Sequence, residues 1–240
     1  MVFDAETRRK LQIMLVLGIA LAGGRTAWIF YERREAMKQG TKPRQETPLK
    51  ADYYVIPKRL HPLDLKSARQ LTEQPVWVRT GYYHVYYPYD VTRHKADFQH
   101  EAGTLGPLQK LEITDVVLGV APATPGTKQV LASFMLDGSW FAVPIGAERN
   151  GNFKIYSDDI FFIEDPHQLY KHWPADVWKA VDAHQAQAGM SELQASFALG
   201  GGFAEGSGNY GWRTLRYPNG GKPVTITFEN DKAVEIKSGS

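Results

Sequence analysis

The densest run of chemistry-bearing side chains is Gly81–Tyr89, GYYHVYYPY, which gathers five tyrosines and a histidine. On an extended strand successive side chains alternate faces, so Tyr82, His84 and Tyr86 share one face and Tyr83, Val85 and Tyr87 the other. With one face in a core, the second is an aromatic strip with polar tips. Such a strip suits proline-rich peptides or glycans. Packing beneath the following segment, Tyr89 to Leu105, accounts for the same pattern. Tyr82, His84, Tyr86 and Tyr89 are the candidate interaction surface, open to either account.

Other groups that could do chemistry are weaker. His94, Asp97, His100 and Glu101 place four potential metal ligands in one loop, but zinc sites want fixed spacing on a rigid frame, and a solvated loop explains them better. None of the seven histidines pairs at i, i+4 on a helix, and H-E-x-x-H is absent. Asp158-Asp159 and Glu164-Asp165 flank an apolar strand. Glycosidases need two carboxylates facing each other across a cleft, whereas chain neighbours on a strand point apart. Turn and cap duty fits them. Gly206–Gly211 spells G-x-G-x-x-G, but it follows a helix and opens a strand, the reverse of a dinucleotide loop. Neither a P-loop nor G-x-S-x-G occurs, and a chain without cysteine has no thiolate nucleophile, disulfide or cysteine metal site. No cofactor, metal or catalytic residue is predicted.

The elements that must carry these residues begin with Leu11–Tyr31, LQIMLVLGIALAGGRTAWIFY. As a helix rising about 1.5 Å per residue it would reach about 31 Å, enough for a hydrocarbon core of roughly 30 Å. Leu11, Leu15, Ile19, Trp28 and Tyr31 are the predicted membrane anchor, with the two aromatics at an interface and Arg25 snorkelling to the headgroups. The charged residues 1–10 and Ala20-Leu21-Ala22 also resemble a cleavable export signal, so retained anchor and cleaved signal both stand. A net charge of +2 is too slight for a nucleic-acid surface, and the basic residues gather beside the apolar run, where anionic lipid would meet them.

Residues 32–52 read as a juxtamembrane linker. From Val76 the period becomes two, and Val76–Tyr87 is predicted as one long strand with a bulge at Gly81. Further strand signals follow through Ile163, joined by Asp137-Gly138 and Asn150-Gly151, which supply the positive-φ residues of tight hairpins. Short strands joined by tight turns must hide their edges, which predicts a small β-barrel over 53–165. Asp165-Pro166 starts a helix as N-cap and first residue, Ser191 and Gln194 form a capping box, and three strand signals finish residues 166–240. The predicted fold is thus a single N-terminal transmembrane helix followed by an α+β body. That body is a small, mainly antiparallel barrel plus a C-terminal ααβββ domain.

The tail order, with Gly189-Met190-Ser191 opening its second helix and VTITFENDKAVEI closing its sheet, resembles the BamE/SmpA family of small envelope domains over roughly residues 174–238. It departs from that family in lacking a lipidated cysteine and in the glycine-rich insert Gly200–Gly211. The middle segment, DGSWFAVPIG followed by YSDDIFFI, is similar to a bacterial SH3-like domain. Together these resemblances imply a bacterial envelope protein, single-pass in the inner membrane with its body in the periplasm. The flanking charges, fewer before the apolar run than after it, argue for the opposite orientation. The function implied is non-enzymatic: a membrane-anchored interaction or assembly subunit whose partners are the bilayer and other envelope proteins, and not nucleic acid. A peptidoglycan-binding module and a hydrolase with a dispersed site are the alternatives.

Overall fold

Where the sequence asks for tight turns, the backbone supplies them. Asp137 and Asn150 adopt φ of 50° and 53°, and the long strands on either side fold back as antiparallel hairpins. The computed structural model describes residues 9, 14, 18, 23–34, 51–120 and 124–239, the side chain of Tyr53 excepted. Lys50–Ser240 form one compact unit, an α+β body with mostly antiparallel sheets.

The predicted transmembrane helix requires correction. Among the described residues no helix is long and apolar enough to cross a membrane. Among the described residues, 23–34 are helical and are named α1. They include Arg25, Glu32, Arg33 and Arg34, while Trp28 and Tyr31 are exposed. Leu11, Leu15 and Ile19 lie outside the described residues, as does most of the linker. The single-pass membrane assignment is corrected with the helix.

In the body, the short helix α2 (Leu65–Ala68) is capped by Asp64 and leads through a 3-10 turn to β1 (Val76–Val78). The following strands are β2 (Val85–Asp90), β3 (Lys95–Ala96), β4 (Gly103–Thr104), β5 (Lys110–Leu111), β6 (Ile113–Val120), β7 (Thr127–Leu136), β8 (Ser139–Arg149) and β9 (Asn152–Ile155). All of these but β5 make one antiparallel sheet in the order β3-β2-β8-β7-β6, with β4 on β2 and β9 on β8. Its ends, β3 and β6, approach each other with no ladder between them, so the predicted barrel is a curled open sheet. Helix α3 (Ser157–Ile160) leads into β10 (Phe161–Phe162), which pairs with β1, and β1 pairs with β5 in a separate three-stranded sheet. Val130, Ala132 and Phe134 fill the core on one face of β7, and Leu131 packs on the other with Tyr89 and Val117. Burial on both faces explains why β7 reads as a continuous apolar run.

The predicted single strand Val76–Tyr87 breaks at residues 79–84, because Tyr82 turns left-handed at φ 63° and ends the alternation. Helices α4 (Pro166–Leu169), α5 (Ala175–Asp182) and α6 (Glu192–Leu199) follow. Asp165 caps α4 through the His167 amide, and the reciprocal Ser191–Gln194 bonds cap α6. The tail sheet has four strands in meander order: β11 (Phe203–Asn209), β12 (Trp212–Tyr217), β13 (Val224–Glu229) and β14 (Lys232–Ser238). The tail is therefore αααββββ where ααβββ was predicted, with the short α4 as the extra helix and the glycine-rich insert forming the extra strand. Tyr170, Trp173, Trp178 and Phe197 pack beneath it against Leu215, Tyr217, Ile226 and Phe228.

Candidate functional site: the junction at the glycine triad

Gly200-Gly201-Gly202 ends α6 and receives the loop Gly81-Tyr82-Tyr83 from the curled sheet. The Gly201 amide donates to the Gly81 carbonyl at 3.3 Å. A side chain at Gly200 would stand 2.6 Å from that same carbonyl, and one at Gly201 would overlap the Tyr83 ring. Only residues without a Cβ admit so close an approach. On the loop side the Tyr82 amide donates to Leu105 O at 2.7 Å and the Leu105 amide to His84 O at 2.9 Å, which fixes the turn.

Two surfaces leave this junction. Tyr82 enters a cleft of about 870 Å³ whose other walls come from the α5–α6 connection and the 219–224 and 236–239 segments. Its ring lies against Gly220, where a Cβ would be 3.0 Å away. Four lining residues hold left-handed backbone: Tyr82, His184, Asn219 and Gly220. Tyr83 goes the other way and stacks on Phe203, the first residue of β11, with ring centroids 5.7 Å apart. All seven residues of β11 are exposed, and its ladder to β12 shifts register between Glu205 and Asn209.

The four residues of the predicted surface do not share one face. Tyr82 lines the cleft. His84 follows it in the loop, and burial pushes its imidazole pKa down. Tyr86 packs edge-on against Phe134 and Phe141 at 5.7 and 5.0 Å. Tyr89 is buried in the second face of the sheet, its phenol 3.3 Å from His94 Nδ1. The exposed aromatic of the run is Tyr83.

The remaining titratable groups mostly tie elements together. His100 Nδ1 meets Asp97 Oδ2 at 2.8 Å, and among the described residues no three ligating side chains converge on a metal position. Asp158 accepts from the Leu60 and His61 amides at 3.1 and 2.8 Å, and Glu164 from the Lys58 amide at 2.9 Å. Those two carboxylates strap the extended segment 58–61 to the body, a role beyond turn duty. Asp52 receives the Trp173 indole at 2.6 Å and meets His172 Nε2 at 2.5 Å. His167 bridges Asp165 and Asp182 while stacked on Trp178. Gly206–Gly211 opens no helix; it forms β11 and the turn into β12.

His184, Lys222, Asn219 and the triad's docking role carry no signal in the sequence, because their relation to Tyr82 exists only once the chain has closed. Compared with known protein families, with characterised proteins and with solved structures, the chain matches none of them.

Proposed function

We propose that this protein is a non-enzymatic interaction module, an assembly or accessory subunit that takes an extended segment of a partner protein onto the free edge of β11. The observation that carries this reading is the full exposure of that edge strand between two aromatic pairs. Sheet edges in native proteins are blunted by lysine, proline or a covering element, since unpaired N–H and C=O groups recruit further strands. Phe203–Asn209, FAEGSGN, contains neither lysine nor proline, and every residue of it is exposed; its protection is limited to Glu205 and the register shift that follows it. At one end Phe203 and Tyr83 are 53% and 47% exposed, and at the other Tyr210 and Trp212 are 50% and 61% exposed. An added strand would gain ladder hydrogen bonds worth roughly 1 kcal/mol each and an aromatic seat at both ends. A second copy of this chain fits less well, because the register shift would set one irregular stretch against another. The resemblance of residues 174–238 to BamE/SmpA domains supports envelope proteins as the partner class, with the periplasm as the compartment.

The test compares full-length protein with Ser207→Pro, a change where β11 has no direct ladder partner on β12. Proteins co-purified from native cells are identified by mass spectrometry, and β11 amide exchange is measured with and without them. The expected result is a protein retained by the wild type and lost by the variant, together with slowed exchange across β11. Identical proteins on both, none on either, or binding to isolated peptidoglycan with β11 still exchanging freely would overturn the reading.

A further inference from the structure

The cleft beside Tyr82 has no part in the edge-strand reading, and its chemistry is different. Its volume of about 870 Å³ falls within the range of small-molecule and peptide sites. Among the described residues no aspartate or glutamate lines it, and the lining side chains that can carry positive charge are His184 and Lys222. Lys222 is exposed and makes no ion pair among the described residues. The floor is apolar, from Leu199, Val224 and Ile236.

His184 is held in one orientation. Its Nδ1 lies 3.1 Å from the Ala198 carbonyl, and a carbonyl oxygen only accepts, so Nδ1 carries the proton. Nε2 is left as the nitrogen available to a ligand. Tyr82, His184 and Asn219 all hold left-handed backbone, and such strained conformations collect where a side chain must be aimed.

We infer that the cleft binds a carboxylate carried on an apolar body, with Lys222 supplying charge, His184 and Asn219 supplying polar contacts, and the floor taking the apolar part. One lysine and one histidine over an apolar floor match a monoanion with a hydrophobic attachment. Phosphate sites gather more donors, characteristically arginine forks. The C-terminal residue of a peptide and a free aliphatic acid both offer this chemistry. The inference stands independently of the β11 reading.

Isothermal titration of the full chain tests it with four probes: N-acetyl-Ala-Ala-Leu as the free acid, the same peptide as its C-terminal amide, octanoate, and inorganic phosphate. The free-acid peptide, octanoate or both should bind, the amide at least about tenfold more weakly than its acid, and phosphate without detectable heat. Binding of the peptide alone identifies a chain terminus as the source, and binding of octanoate alone identifies a free acid. Lys222→Met and His184→Asn should each weaken the bound acid by about tenfold while the near-ultraviolet circular dichroism stays that of the wild type. Equal binding of acid and amide, no binding by either acid, phosphate binding as tight as the acids, or Lys222→Met without effect would each overturn the inference.

Discussion

Glu192 lies in the first turn of α6 with its carboxylate almost wholly covered. Arg213 Nη2 and Nε reach Glu192 Oε2 at 2.7 and 3.0 Å, and the Gly211 amide donates to Oε1 at 2.5 Å. The Glu192 amide donates to Asp231 Oδ1 at 3.0 Å, so one residue ties the β11–β12 turn and the β13–β14 turn to the helix. The carboxylate lifts the Arg213 pKa further above its ordinary value through the hydrogen bonds it accepts. Arg213 keeps part of its side chain in solvent, so Glu192→Gln removes charge-assisted hydrogen bonds without stranding a buried charge and should cost about 2 kcal/mol, read as a lowered urea midpoint at unchanged m-value. Glu192 was legible only as the first residue after a capping serine. Its partner lies two strands away, and no local pattern announces it.

At the scale of elements, the contact between the 81–83 loop and the glycine triad separates two kinds of crowding. A Cβ at Gly201 meets the ring of Tyr83, which is half exposed and can swing aside. A Cβ at Gly200 meets the Gly81 backbone, and Gly200 itself holds φ 82°. Gly200→Ala should therefore cost roughly 2–3 kcal/mol in chemical denaturation. Gly201→Ala should cost about 1 kcal/mol or less and instead release Tyr83 from Phe203. Equal losses at the two positions would contradict this account of the junction. The sequence announced elements best where local chemistry decides them. The capping box at Ser191, the cap at Asp165 and the turns at Asp137 and Asn150 are set by side chains a few residues apart. It announced them poorly where the partner decides. Glycine-rich β11 carries almost no strand propensity and is a strand because β12 offers it a ladder. The predicted long tyrosine strand fails because residues 79–84 answer to the tail, and the spanning helix was inferred from hydropathy over a segment of which only part is described.

For the molecule as a whole, covered tyrosines set the alkaline limit. Burial pushes the phenols of Tyr89, Tyr156, Tyr170 and Tyr217 above their ordinary value of 10.0, Tyr217 most of all. The Tyr217 hydroxyl is fully buried with no hydrogen-bond partner among the described residues. Each phenol holds its proton more tightly folded than unfolded. Their contribution is therefore complete below about pH 10 and falls as pH rises through the raised folded values. Thermal unfolding between neutral and strongly alkaline pH should show a steep loss of stability beginning near pH 10, with phenolate absorbance appearing together with unfolding. Tyr217→Phe removes an unpaired hydroxyl, so it should be neutral or stabilising by about 1 kcal/mol at neutral pH and should flatten that loss. A variant with an unchanged alkaline slope would remove Tyr217 from the explanation.

The cleft draws its walls from Tyr82, from the α5–α6 connection and from residues as late as Gly239. Bringing such distant stretches together has an entropic cost that local helices and hairpins do not bear. During synthesis the curled sheet and α5 can form while the cleft still lacks its final wall. Folding order thus guards the cleft: it exists only once β14 has paired with β13 and brought Ile236 to the earlier walls, so a ligand that fits it would report that the tail sheet has closed.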